Sequence, residues 1–217
     1  MDLQLQDKVA IVTGSSKGLG LASARALVLE GAGLVICARG RDALKAASRS
    51  LAGAAGRADA VVAVEADVST PAGAETVVTQ AIASFGRVDI LVNNVGKAGG
   101  GDIVSTLDAE WQGAPDQTLF PAIRMSRLVV PAMRRAGGGV ILMIASIWGR
   151  ESGGRMTYNA VKAAEVSHAK GMAQQLAKDN IRVNSIAPGY VMTELNTDFL
   201  ASEAGDKLKS RIPARRF

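Results

Sequence analysis

Six short apolar runs recur along this chain, separated by stretches whose apolar residues fall at helical spacing. They are KVAIVT (8–13), GLVICA (33–38), AVVAVEA (60–66), DILVNN (89–94), GVILMIAS (139–146) and IRVNSIA (181–187). The runs are apolar throughout rather than alternating, and rich in valine and isoleucine, which is how strands covered on both faces read. Between them, pieces such as LGLASARALVLEGA and AAEVSHAKGMAQQLAKD carry the period of helices packed on a sheet. Regular alternation of strand and helix predicts an α/β fold, a doubly wound parallel sheet in three α/β/α layers, with ligands at the carboxyl ends of the strands. No repeat, linker or composition break divides residues 1–217, which read as one domain. Three irregular segments follow the later strands: GKAGGG (96–101), IWGRESGGRMT (147–157) and GYVMTELNTDF (189–199). Each reads equally well as a pocket-shaping loop or as a plain connection.

Composition narrows this picture. With 48% apolar residues, 217 positions suffice for one sizeable core, and 24 glycines with 4% aromatics suggest close backbone packing. Cys37 stands alone, which excludes an intrachain disulfide and fits a reducing compartment. The start, MDLQLQDKVA, lacks the basic and apolar regions of a secretory signal, and no run approaches the ~18 apolar residues of a membrane span. A cytoplasmic protein with no membrane partner is expected. The net charge of +5 resides in KLKSRIPARRF (207–217), which has five basic groups and no acid, so the rest of the chain is balanced. Without a basic stripe or stacking aromatics, nucleic-acid binding is not expected.

The first run leads straight into TGSSKGLG (13–20), which opens a helix. Gly14 allows the tight turn, Gly18 lets the backbone approach a pyrophosphate, and Gly20 lets helix and strand pack closely. The helix start then offers free N–H groups to phosphates, with Ser16, Lys17 and Leu19 around them. At the end of the second run, where an acid would bond the free ribose hydroxyl of NAD, the sequence is CARGR, with Ala38 and Arg39. Arg39 and Lys17, with no carboxylate, favour NADP(H) over NAD(H), because a guanidinium clamps a phosphate in two-pronged fashion. Arg39 and Arg41 as ordinary solvated charges is the competing reading. Cys37 reads as a small buried strand residue without a redox role.

Residues 156–162, MTYNAVK, place Tyr158 and Lys162 four positions apart in a helical stretch, about 400° of rotation and so one face. Taken alone, the pair reads as two amphipathic side chains covering a helix. Together with TGSSKGLG, NNVG (93–96), Ser146 and PGYVMT (188–193), the chain resembles the short-chain dehydrogenase/reductase family in its compact single-domain branch, similar to 3-oxoacyl-carrier-protein reductases. The resemblance runs from about residue 7 to the end. It implies a catalytic set of Ser146, Tyr158 and Lys162. Tyr158 would exchange a proton with the carbonyl or alcohol oxygen, helped by an ammonium that lowers its pKa from about 10. Ser146 would bond the same oxygen, and Lys162 would also hold the nicotinamide ribose hydroxyls. It further implies that Asp67 and Val68 (EADVS) contact adenine and that Asn94 and Gly96 border the cofactor beside Asn93. Pro188, Gly189 and Thr193 would run past the nicotinamide. His168 lies about 1000° along the helix from Tyr158 and is expected off the catalytic face.

Two departures from the family pattern stand out. Thr118, in DQTLF, occupies the position of a family asparagine that holds a relay water to the lysine, so a weakened relay is expected. Gly113 and Pro115 in the same stretch predict a kink or a late helix start. RIPARRF resembles a segment that family members follow with another helix and a seventh strand. The expectation is a chain shortened at its carboxyl end, with IRVNSIA left as an uncovered edge.

The reading is therefore an NADP-dependent oxidoreductase that reduces a ketone or 3-oxoacyl carbonyl to a secondary alcohol, reversibly, with a small-molecule carbonyl or alcohol substrate. A catalytically weak dinucleotide-binding homologue acting through association is the alternative. A sugar-nucleotide epimerase fits less well, since the glycine spacing differs and no larger substrate domain is available. Pairing of helices near 108–135 and 156–178 implies a homodimer or homotetramer.

Overall fold

Each of the six apolar runs forms a strand whose ends lie within two residues of those expected, in a computed structural model that describes residues 3–194 and 196–217. The first half comprises β1 (Val9–Thr13), α1 (Gly18–Leu29), β2 (Gly33–Ala38), α2 (Arg41–Ala55), β3 (Val61–Glu65), α3 (Pro71–Phe85) and β4 (Ile90–Asn93). The second comprises α4 (Asp108–Gln117), α5 (Leu119–Arg135), β5 (Gly139–Ile144), α6 (Met156–Leu176), β6 (Ile181–Ile186), and the short α7 (Thr197–Leu200) and α8 (Glu203–Arg211). All strands run parallel in the order β3-β2-β1-β4-β5-β6. The order reverses between β1 and β4, and a crevice opens there at the carboxyl ends of the strands.

Because strand side chains alternate in direction, successive residues feed two separate core layers. Ala10, Val12, Leu34 and Ile36 pack with Val28, Leu44 and Leu51 of α1 and α2. Ile11, Leu91, Ile141 and Met143 pack on the other face with Val77, Met125 and Met172 of α3, α5 and α6. Near the opposite end of the sheet, Val9 N–H donates to the buried Asp89 carboxylate at 2.9 Å, and Arg87 donates to the same carboxylate through two nitrogens.

Burial on both faces holds for β1, β2 and β4, and it fails for the rest. In β6, Arg182, Asn184 and Ile186 are exposed, while Val140, Leu142 and Ile144 of β5 are half-buried. α1 and α2 cover the β1–β3 part of one face, whereas α5 and α6 pack on the opposite face of β5 and β6. β6 is the last strand of the sheet, the edge position expected above, and one of its faces is uncovered as well.

Helix ends follow local chemistry. Thr70 Oγ1 accepts from Gly73 N–H at 3.1 Å, Pro71 takes the first turn, and α3 stops at Gly86. Helix formation begins early at Asp108 despite Pro115, and the break falls at Thr118, between α4 and α5. There is no late start: α4 runs through Pro115 to Gln117, Thr118 N–H reaches back only to the Pro115 carbonyl at 3.3 Å, and α5 begins at Leu119. No helix among the described residues is long and apolar enough to cross a membrane.

Candidate functional site

A cavity of about 690 Å³ lies over the carboxyl ends of β1, β2, β4 and β5. At one end is the glycine turn. Gly14 and Gly18 both have φ near +60°, a conformation that side chains with a Cβ rarely adopt. Gly14, Ser16, Lys17, Gly18 and Leu19 line the cavity wall. Gly20 lies behind them, and a Cβ there would stand 2.4 Å from the Gly14 carbonyl oxygen. The turn is tied down from two sides. Ser15 Oγ accepts from Cys37 N–H at 3.1 Å and donates to the Val12 carbonyl. Asn94 Nδ2 donates to the Thr13 and Gly14 carbonyls, and Asn94 N–H donates to Thr13 Oγ1. Asn93 faces the other layer, where its amide donates to Ser126 Oγ.

The α1 start already behaves as an anion site. Gly18 N–H donates to the Glu194 carboxylate at 3.2 Å, across 176 residues of chain. A helix start carries a partial positive charge, which favours a carboxylate there.

Beyond β2 the cavity meets Arg39, whose side chain is 80% exposed and lies 4.0 Å from Asp67. Burial acts against the Asp67 carboxylate, but bonds from Ser69 and the Arg39 charge leave it below its usual range. Arg41, by contrast, is engaged by Glu65 at 2.6 Å. Asp67 and Val68 line the cavity beside Ala66. Cys37 is buried, and burial pushes its thiol up to about 12, which leaves it inert.

At the other end stand Ser146, Tyr158 and Lys162, all on the cavity wall with Asn94, Gly96, Pro188, Gly189 and Thr193. Ser146 follows β5 and caps the 3-10 turn Ile147–Gly149, accepting from Trp148 N–H at 3.2 Å. Lys162 is almost fully buried. Its Nζ donates to the Ile144 carbonyl at 2.8 Å and to Glu165 Oε2 at 2.9 Å, and lies 5.5 Å from the centre of the Tyr158 ring. A Cβ on Gly96 would come within 3.1 Å of Nζ, so a side chain there would push the ammonium by a few tenths of an ångström.

Without a cofactor the Tyr158 phenol lies above its usual range. Burial raises it, a hydrogen bond with Ser146 works the other way, and the negative charge of Glu165 adds to the rise. The Glu165 carboxyl is itself raised by burial, against the bond and charge of Lys162. His168 is half-buried, its imidazole depressed by burial, and it does not line the cavity.

Thr118 is fully buried, and its hydroxyl accepts from Lys97 N–H at 3.2 Å. The three irregular segments touch one another; 96–101 and 189–199 reach the cavity wall and 147–157 does not. Arg155 donates to the Gly100 carbonyl at 3.0 Å, and Trp148 meets Tyr190 edge-on at 6.0 Å between ring centres. Lys97 and Gln117 also line the cavity, and neither was expected from the sequence. Glu165 was missed as well, although a carboxylate on the apolar stripe of α6 was a visible signal.

Residues 8–204 match the family profile described as short chain dehydrogenase. The chain is 33% identical over 215 residues to the 3-oxoacyl-(acyl-carrier-protein) reductase FabG of Escherichia coli (strain K12), covering 99% of this chain and 85% of that one. The L-sorbose reductase of Gluconobacter frateurii, solved with NADPH and L-sorbose, superposes with a TM-score of 0.91 at 39% identity, covering 100% of this chain and 86% of that one. A 7 alpha-hydroxysteroid dehydrogenase, solved with NADH and 7-oxo glycochenodeoxycholic acid, superposes at 0.92 and 32% identity, covering 100% and 84%.

Proposed function

This chain belongs to the short-chain dehydrogenase family, and on that premise we propose that it is an NADP(H)-dependent reductase of ketone or 3-oxoacyl carbonyls, reversible as an alcohol dehydrogenase. One observation carries the proposal: the Ser146 hydroxyl, Tyr158 phenol and Lys162 ammonium line one end of the same cavity whose other end is the glycine turn. Hydride transfer is the chemistry that a nicotinamide dinucleotide supplies when bound. The cavity suits such a group, since the turn lacks Cβ atoms at Gly14 and Gly18 and the α1 start already accepts a carboxylate.

In this reading Gly14, Ser16, Lys17, Gly18 and Leu19 hold the pyrophosphate, with Gly20 packing behind. Asp67 and Val68 border the adenine. Arg39 reaches the ribose phosphate that distinguishes NADP, supported by its exposure and by the lack of a carboxylate at Ala38. Relatives solved with NADPH and with NADH both exist, so this preference rests on Arg39 and Lys17. Asn94, Gly96, Pro188, Gly189 and Thr193 frame the nicotinamide side, and Lys162 holds the ribose hydroxyls there.

Tyr158 gives its proton to the substrate oxygen in reduction and takes one back in oxidation, while Ser146 orients that oxygen. The pH sign follows from the raised phenol. Reduction needs the protonated form and persists through neutral pH. Oxidation needs the phenolate and climbs in the alkaline range. Exposed Ile103, Val104, Leu107 and Phe120 around α4 and the α5 start support a homodimer or homotetramer.

The test mixes purified protein and NADPH with a panel of ketones and acyl thioesters, alongside Tyr158→Phe. Turnover in the native protein and a loss of about 10²–10⁴-fold in the variant are expected. No oxidation across the panel with cofactor bound, or an unimpaired Tyr158→Phe, would overturn the proposal. NADH preferred over NADPH would overturn the cofactor assignment alone.

A further inference from the structure

Val161, Glu165, Ala169, Met172 and Leu176 follow one another along the buried stripe of α6, and a carboxylate stands among aliphatic groups. Glu165 and Lys162 side chains are each 3% exposed, with 2.9 Å between Oε2 and Nζ. A buried ion pair is a weak source of stability, because removing both charges from water costs about as much as their attraction returns. Its presence here calls for another reason. Lys162 lines the cavity and Glu165 does not, so the carboxylate meets the ammonium from behind. Of the three ammonium N–H groups, one goes to Ile144 O and one to Glu165, which leaves one for the cavity.

Resting on the oxidoreductase reading above, we propose that Glu165 is a positioning residue of this site: its buried carboxylate pins the Lys162 ammonium and offsets its charge, so that Tyr158 stays protonated and ready to donate. The raised phenol, to which the Glu165 charge contributes, agrees with this. Few other charges compete. β5 has no ionisable side chain, β6 only the exposed Arg182, and α4 only exposed carboxylates. α5 brings arginines, of which Arg124 donates to the Ser69 carbonyl and the others are exposed. Lys97 reaches the cavity wall from the loop after β4, and His168 on α6 itself does not.

The sequence contains two tyrosines, Tyr158 and Tyr190, so a Tyr190→Phe background isolates Tyr158 for ultraviolet difference titration of tyrosinate without cofactor. In that background the midpoint is expected above the ordinary value of about 10. Glu165→Gln is expected to lower it by on the order of one pH unit, because the ammonium then acts unopposed. In the loaded enzyme the alkaline limb of alcohol oxidation should move the same way. An unchanged or higher midpoint in Glu165→Gln would overturn the inference. If that variant does not fold, Glu165→Met, apolar and of similar length, carries the same comparison. A midpoint at or below about 10 with Glu165 intact would overturn the inference without any variant. Failure of the oxidoreductase reading shows separately, as no NADPH oxidation across the carbonyl panel.

Discussion

Replacing Gly20 with alanine is the sharpest test of how the glycine turn is built. A Cβ at this position would lie 2.4 Å from the Gly14 carbonyl oxygen and 2.6 Å from Asn94 Nδ2. Neither neighbour can step aside cheaply. One is backbone in the turn, and the other holds two carbonyls, Thr13 O at 3.0 Å and Gly14 O at 3.1 Å. Overpacking a close contact costs about 1–3 kcal/mol. Displacing the Asn94 amide loses hydrogen bonds of about 0.5–1.5 kcal/mol each. With both Asn94 bonds the sum is about 2–6 kcal/mol, and at about 2–4 °C per kcal/mol for a chain of this size the melting temperature should fall by about 10 °C. Thermal unfolding followed by circular dichroism measures it. Cofactor titration should show weaker binding, since the same shift distorts the turn. Gly53→Ala is the control: it is an exposed glycine inside α2 with nothing within 4 Å of a Cβ, so about 0.5–1 kcal/mol of added stability is expected. A Gly20→Ala protein that melts with the parent and binds cofactor equally would refute the close-packing account.

Three further outcomes follow from the geometry. Glu194→Ala frees the Gly18 N–H from a competing carboxylate, so NADPH should bind about 2–5-fold tighter by fluorescence titration, equivalent to one exposed hydrogen bond of about 0.5–1 kcal/mol. Arg39→Ala should weaken NADPH binding by about tenfold and leave NADH binding near its starting value, because charge-assisted bonds to the extra phosphate are lost. Asp89→Ala leaves the Val9 N–H and the Arg87 guanidinium without their acceptor, which should cost about 2–3 kcal/mol in denaturant unfolding while substrate-free cofactor binding persists.

Much of the fold was legible because its signals are local. A short apolar run followed by a helical period announces a parallel strand. TGSSKGLG carried its own meaning, since positive φ at Gly14 and Gly18 is a property of the glycines themselves. Ser146, Tyr158 and Lys162 were legible only as a set. The spacing of the last two put them on one helix face, and the structure adds that all three reach the same cavity. Pro115 announced a disturbance, but its site at Thr118 depended on how α4 and α5 pack around it.

What escaped was electrostatic. Sequence proximity put the Lys162 charge beside Tyr158 but gave no sign of the burial and the Glu165 charge that raise the phenol. Exposure of β5 and β6 on one face was likewise invisible in IRVNSIA until the covering helices were located.

The order of residues by itself determined the strands, the helices, the glycine turn and the chemical types present at the site. Those follow from backbone preference and hydrophobic period, which act over a few residues. Only the tertiary structure decided that Glu194 reaches Gly18, that Asn94 clamps the turn, and that Lys162 shares its charge with a buried carboxylate. These depend on desolvation and on distances between distant segments, and both are set only once the sheet has closed its layers.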